Sequence, residues 1–366
     1  MSCNRLLALC MSPDKGGLEL YFLKFINYYS TSELCKLYVA CSRNSFISKN
    51  ISKNKLECNQ YRFLKNFINF FTIRKFIKEN DIDTIHVSWG KDILLAVLLK
   101  ILSRRKIIII FYRQMKLSRS KKDLYHTFIY SNIDFFLVIT KKLYEEACMY
   151  LPIDKSRIHI LPYGIKKPSK ESIINKDDFY KKNNMTLSTF SIGVFSRIEE
   201  QKGQHLVLKA INQSSHKIQL FIIGHVMDHE YKNNLIKDIN THNLADKVCF
   251  IDFLESPMSY MPCFDLIILP TYEETFGLIV AESMLMKVPI IGSNAGGVPE
   301  IINHRINGLL FETKNHDDLQ NKIEFIIENP EDRKKIIDNG VKFANQRYDY
   351  KSHFLKLENI INMRSN

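Results

Sequence analysis

The stretch Asp265–Glu300, DLIILPTYEETFGLIVAESMLMKVPIIGSNAGGVPE, restricts the fold more than any other part of the chain. Ile267, Ile268 and Leu269 form an apolar run too short for a helix and stopped by Pro270, which predicts a buried strand. The loop Thr271–Phe276 carries two adjacent carboxylates, Glu273 and Glu274. Gly277 lets the backbone come close to a ligand, and LIVAESMLM has the composition of a buried helix of about three turns. Val288–Ile291 predicts a second strand, and Gly296, Gly297 and Pro299 predict a turn and a helix start. Strand, loop, helix and strand in this order build a parallel α/β sheet. The first helical turn, around Gly277 and Leu278, then points unpaired N–H groups beyond the strand's carboxyl end, where a phosphate is favoured. Glu274 in the loop and Glu282 a turn or more into the helix can face one ligand from different depths. The bland alternative is an ordinary strand-helix-strand unit with surface glutamates.

Similar units recur on both sides. Phe190–Phe195 predicts a strand ending at Ser196-Arg197, with Lys202-Gly203 before a helix. Arginine offers a forked donor set and lysine a compact charge, the pair a diphosphate needs at a sheet's carboxyl edge. Ile218–Gly224 predicts the next strand. Near the start, Leu6–Cys10 predicts a strand that runs into Gly16 and Gly17 before an apolar helix, and Leu37–Ala40 another. Ser42–Lys55 reads as an exposed connection. Phe63–Ile77 spaces apolar residues, from Phe63 and Phe67 to Ile77, at helical intervals among lysines and arginines; the helix either packs on the sheet or lies on a membrane. Asp81-x-Asp83 could hold a cation but precedes the strand Thr84–Val87, a place for solvated turn carboxylates. Residues 168–187 are polar and lysine-rich, which predicts an interdomain linker. The tail Phe343–Ile361 predicts a helix.

A chain of 366 residues is comfortable for two cores. No apolar run approaches the eighteen or so residues that span a bilayer, and the opening segment has no cleavage site, so a cytoplasmic protein is expected. Eight scattered cysteines without a C-x-x-C pair favour free thiols over zinc or disulfides. Charge is uneven: residues 1–180 carry 31 Lys and Arg against 16 Asp and Glu, while the remainder is close to balanced. Such a half is drawn to anionic lipid or an acidic acceptor. A lysine excess of genomic origin, or nucleic-acid binding, are the alternatives.

The spacing Glu274-x7-Glu282, with Phe276 and Gly277 inside it and GGVPE downstream, closely resembles the donor-binding segment of glycosyltransferase family 4. That resemblance covers nearly the whole chain and implies an α/β GT-B fold: two doubly wound Rossmann-like domains facing across a cleft. The expected boundaries are 1–167 for an acceptor-binding domain, 168–187 for the linker, 188–345 for a nucleotide-sugar domain, and 346–366 for a C-terminal helix packing back on the first domain. It implies that Arg197 and Lys202 neutralise the leaving diphosphate, that Glu274 orients the sugar and Glu282 the ribose, and that Phe253 and Leu254 touch the base. Gly224, Thr275, Phe276, Gly277 and Leu278 complete the donor side. Gly16 and Gly17 match a loop facing the cleft, and His86 matches the first of two family histidines; the second is Ser88 here. Where the family commonly has a histidine after the strand Ile107–Phe111, this chain has Tyr112-Arg113-Gln114, so that Arg113 takes its electrostatic part, His126 substitutes, or the acceptor is recognised differently.

A retaining transfer of a sugar from a nucleotide-sugar to a glycan or lipid-linked acceptor is therefore expected, in surface polysaccharide or lipopolysaccharide synthesis. No metal, other cofactor or nucleic acid is expected to take part, and peripheral contact with an anionic membrane is. A catalytically silent sugar-binding or interaction protein of the same fold, or a basic nucleic-acid binder, stays open at this point.

Overall fold

The computed structural model describes residues 4–32, 35–52, 54–59, 63–103 and 105–362. Two sheets organise them, and every strand pairing in both is parallel. The first holds β1 (Asn4–Cys10), β2 (Cys35–Ser42), β3 (Lys55–Cys58), β4 (Thr84–Val87), β5 (Ile108–Arg113), β6 (Phe135–Val138) and β7 (Ile158–Ile160), in the order β3-β2-β1-β4-β5-β6-β7. The second holds β8 (Phe190–Phe195), β9 (Ile218–Ile223), β10 (Val248–Ile251), β11 (Leu266–Leu269), β12 (Ile290–Ser293) and β13 (Leu309–Phe311), in the order β10-β9-β8-β11-β12-β13. Each sheet starts at an inner strand, winds to one edge, then returns to the other side of its starting strand. The winding reverses between β1 and β4 and between β8 and β11, the places where such sheets bind ligands at the strands' carboxyl ends. Helices cover both faces of a parallel sheet, so its strands are apolar throughout rather than alternating. Leu6–Cys10 and Leu266–Ile268 accordingly have no solvent exposure.

Residues up to Pro162, joined by those from Phe354 onward, form one compact unit, and Tyr163–His353 form the other. The C-terminal helix Tyr350–Asn362 places Phe354 in the first unit, its ring 4.2 Å from that of Tyr28 and 6.4 Å from that of Phe25. Three expectations need correction. The supposed linker folds into the second unit: the helix Lys176–Lys182, capped by Asn175, packs Phe179 on Phe221 and Phe264, and Tyr180 Oη donates to the Cys263 carbonyl at 3.0 Å. Two buried rings outweigh the polar residues around them. Ser42–Lys55 is not simply an exposed connection, because it contains the short helix Phe46–Lys49, with Ile47 buried, and leads into the edge strand β3. The helical tail is broken, with one helix at Pro330–Arg347, a buried Tyr348, and a new start where Asp349 Oδ1 accepts from the Ser352 N–H at 2.8 Å.

Asp81 pairs with Arg5 at 2.6 Å and with Arg105, and Asp83 accepts from the Thr84 hydroxyl at 2.8 Å, so both carboxylates serve the turn before β4. The helix Phe63–Glu79 buries Ile73 and Ile77 and leaves Ile68 and Phe71 exposed; the side chains of Phe63 and Phe67 lie outside the described residues, as does Cys3. The other seven cysteines form no disulfide. Among the described residues no helix is long and apolar enough to cross a membrane.

Candidate active site

The switch point of the second sheet brings together the loops that follow β8 and β11. After β8 the chain passes Ser196-Arg197, makes the 3₁₀ turn Glu200–Lys202, and enters the helix Gln204–Gln213 through Gly203. Gly203 is left-handed (φ +69°), and a Cβ there would lie 2.2 Å from the Pro270 carbonyl oxygen at the end of β11. Only glycine lets the two loops touch so closely. Across this contact Lys202 Nζ sits 3.0 Å from Glu274 Oε2, with the side chains only 16% and 26% exposed. Arg197 is bound to Glu199 at 2.9 Å and keeps its guanidinium more than half exposed.

The glycine pair downstream fixes the backbone of Glu274. The Gly297 N–H donates to the Glu274 carbonyl at 2.7 Å, and a Cβ on Gly296 (φ +62°) would stand 1.9 Å from the same oxygen. Phe276 is buried edge-on against Tyr163 and Tyr348, with ring centres 5.1 and 5.5 Å away, so its side chain anchors the loop. Burial of the Tyr163 phenol, and secondarily the charge of Glu274, pushes its pKa well up. Gly277 opens the helix Leu278–Leu285, which is two turns long rather than three: Lys287 turns left-handed and the Val288 N–H donates back to Ser283. Val288 therefore ends the helix instead of starting β12, which begins two residues later than expected. Glu282 is buried in that helix, while Thr275 and Leu278 are half-buried beside its start. The expected helix at Pro299 is a single 3₁₀ turn, Val298–Glu300.

Gly224 follows β9, and a Cβ there would lie 2.1 Å from the Ser196 oxygen, so packing within the protein already demands glycine. Beyond β10, Phe253 is 41% exposed and stacks flat on His225, with ring centres 4.7 Å apart at 2°; Leu254 is half-buried beside it. The stack is a partly exposed aromatic pair.

The first-unit candidates are placed differently. Gly16 caps the helix Gly17–Tyr29, and Ser12 donates to the buried Glu19 carboxylate at 2.5 Å beneath it; a Cβ at Gly17 would meet nothing within 4 Å. His86 is fully buried in β4, its ring stacked on Phe25 at 4.2 Å. Arg113 donates from Nε to the Met115 carbonyl at 2.6 Å and from its terminal nitrogen to the Lys116 carbonyl at 2.7 Å, closing its own loop, and burial lowers its pKa. His126 Nδ1 lies 2.5 Å from Asp123 Oδ2, and hydrogen bonds from His126 hold the Asp123 pKa below the usual carboxylate value. The candidates that close contacts join are thus Arg197, Lys202, Gly224 and Glu274, on adjoining loops of the second unit.

One contributor escaped sequence reasoning. Gln204, fully buried, donates from Nε2 to Ser196 Oγ at 3.0 Å and to the Arg197 carbonyl at 2.8 Å, which fixes the backbone that carries Arg197. A glutamine following Lys-Gly had no motif to mark it.

Comparison with known proteins agrees with this architecture. The family model described as Glycosyltransferase Family 4 matches residues 16–167, and that described as Glycosyl transferases group 1 matches residues 175–343. The O-antigen biosynthesis glycosyltransferase WclY of Escherichia coli is 29% identical over 261 residues, 68% of this chain and 70% of that protein. Among solved structures, HepE of Anabaena in complex with UDP superposes with a TM-score of 0.84 at 18% identity, covering 98% of this chain and all of the other. A glycosyltransferase from Rickettsia africae ESF-5 gives 0.87 at 17% identity over the full length of both chains. The two family models together span most of the residues, the fold is that of GT-B enzymes, and the chain belongs to glycosyltransferase family 4.

Proposed function

We propose that this glycosyltransferase moves a sugar from a nucleotide-sugar donor to a glycan or lipid-linked acceptor with retention of anomeric configuration, without a metal ion, in the assembly of a surface polysaccharide or lipopolysaccharide. The observation that carries the reading is the Lys202–Glu274 pair at the switch point of the second sheet. It places a cation and a carboxylate side by side where a doubly wound sheet takes its ligand.

The costly event is departure of a diphosphate that gains negative charge while the anomeric carbon turns cationic. Lys202, Arg197 and the helix start at Gly277 would stabilise that charge, doing the work of a metal, and Glu274 would hold the sugar's hydroxyls. Glu282 would take the ribose, and the Phe253 face the base. The bond from the anomeric carbon to the phosphate oxygen breaks, the acceptor oxygen bonds to that carbon on the same face, and the acceptor's proton passes to the leaving phosphate. In a double displacement Glu274 would be the nucleophile, but a carboxylate in an ion pair with Lys202 is a weakened one. The Escherichia coli relative's name supports the polysaccharide setting, and the UDP bound by the Anabaena protein supports a nucleotide ligand. Peripheral contact with an anionic membrane fits two surfaces of the first unit. Ile68 and Phe71 stand exposed near Lys75, and Leu124, Tyr125 and Phe128 stand exposed beyond Lys116 and Lys122.

The test is a thermal-shift screen of nucleotide-sugars, followed by transfer assays with and without EDTA and assignment of the product's anomeric configuration by NMR. An inverted product, or activity abolished by EDTA and restored by a divalent cation, would overturn the corresponding part of the reading.

A further inference from the structure

A second polar chain ties the same loops together. His205, in the first turn of the helix Gln204–Gln213, has hydroxyls on both ring nitrogens: Nε2 lies 3.0 Å from Tyr272 Oη, and Nδ1 lies 2.9 Å from Tyr231 Oη. The His205 backbone N–H also donates to Tyr231 Oη, at 3.1 Å. Both tyrosine rings stand nearly perpendicular to the imidazole, at 87°. A neutral imidazole donates through one nitrogen and accepts through the other, so it can join two hydroxyls without leaving either ring nitrogen unmatched. Tyr231 is buried in the first turn of the helix His229–Thr241, the element that follows Gly224. Tyr272 lies two residues before Glu274, its backbone N–H donating to the Gln201 carbonyl at 2.9 Å, and Lys314 Nζ sits 4.6 Å from its ring centre. One side chain therefore connects the helix that follows Lys202, the helix that follows Gly224 and the loop that holds Glu274.

We propose that His205 is a positioning residue: by bridging Tyr272 and Tyr231 it holds the Glu274 loop in register with Lys202. This rests on the function proposed above, in which Lys202 and Glu274 act on the donor. The hydrogen bonds of His205 go to Tyr231 and Tyr272 and not to Lys202 or Glu274. It acts by denying the Thr271–Gly277 loop its freedom, which matters because a misplacement of about 1 Å at reacting groups costs about a hundredfold in rate.

The first measurement needs no donor. Hydrogen exchange of the backbone amides at residues 271–277 is compared between the wild type, Tyr272→Phe, His205→Ala and His205→Gln. Exchange at least fivefold faster in Tyr272→Phe and His205→Ala is expected, with partial restoration in His205→Gln, whose amide nitrogen donates and whose amide oxygen accepts. Unchanged exchange in both of the first two variants overturns the inference. The second measurement is steady-state transfer with UDP-glucose and GDP-mannose. Tyr272→Phe should lower kcat about tenfold with KM changed by less than threefold, and Tyr272→Phe combined with Glu274→Gln should be no slower than Glu274→Gln alone. Fully additive losses in the double variant would also overturn it. If Lys202→Ala retains full activity, the function proposed above fails instead, and the exchange result still decides the role of His205.

Discussion

Lys202 Nζ and Glu274 Oε2 meet at 3.0 Å although they belong to different loops, one leaving β8 and the other leaving β11. Each supplies the other's counter-charge in a site with little solvent. We expect Lys202→Ala to lower kcat by about a hundredfold or more, the range for removal of one preorganised charge-stabilising donor. With Arg197→Ala added, transfer should collapse. The exposed Arg197 should contribute little to folding, so circular dichroism and thermal midpoints of that single variant should match the wild type, and full transfer by the double variant would refute its assignment.

Gly296→Ala and Gly17→Ala make a matched pair. At Gly296 a methyl group would collide with the Glu274 carbonyl in a left-handed backbone, whereas at Gly17 it would meet nothing. We expect the first substitution to cost more than about 2 kcal/mol of stability and the second less than about 0.5 kcal/mol, read by urea denaturation. A rate loss in Gly17→Ala at unchanged stability would assign that glycine to acceptor contact.

Phe253→Ala removes the partly exposed ring stacked on His225, to which the proposed function assigns the base. Stacking of a base on an aromatic ring contributes about 1–3 kcal/mol. The KM for the donor should therefore rise about tenfold with kcat nearly unchanged, and an unaltered KM would place the base elsewhere.

Acid should weaken the fold. Burial pushes the pKa of His159, His205 and His304 below the usual 6.5. The folded chain then excludes protons that the unfolded chain accepts, so the contribution is whole above pH 6.5 and is lost as pH falls below it toward each folded value. Thermal midpoints measured from pH 8 to pH 5 should decline below about 6.5, and less steeply in His205→Gln.

Membrane contact can be read by co-sedimentation. Vesicles rich in phosphatidylglycerol should retain the protein at about 0.1 M salt and release most of it at about 1 M, where charges are screened within about 3 Å. Neutral vesicles should retain little. Equal binding to both would remove the charge argument, and Phe71→Ser should weaken retention if the helix Phe63–Glu79 is the contact.

Much of this was legible in the residues because parallel strands buried on both faces must be apolar runs, and Leu6–Cys10 or Leu266–Leu269 can hardly be anything else. That the loops of Lys202 and Glu274 adjoin was legible for a related reason, since each follows an inner strand of one parallel sheet. What stayed hidden is contact between distant residues. Phe179 and Tyr180 look like part of a lysine-rich linker until Phe221, Phe264 and Cys263 are seen around them. His205 and Tyr272 lie 67 positions apart, and no period links them. The side chain of Arg113 illustrates the reverse: its position after a strand suggested chemistry, and two carbonyls of its own loop claim its guanidinium.

The carbonyl of Glu274 fills the space that any residue larger than glycine would need at position 296. Segments 270–277 and 293–298 are consequently one part made of two pieces of chain. An engineer who transplants a new donor specificity into this scaffold would have to move them as a single cassette, because lengthening either alone unseats its mate.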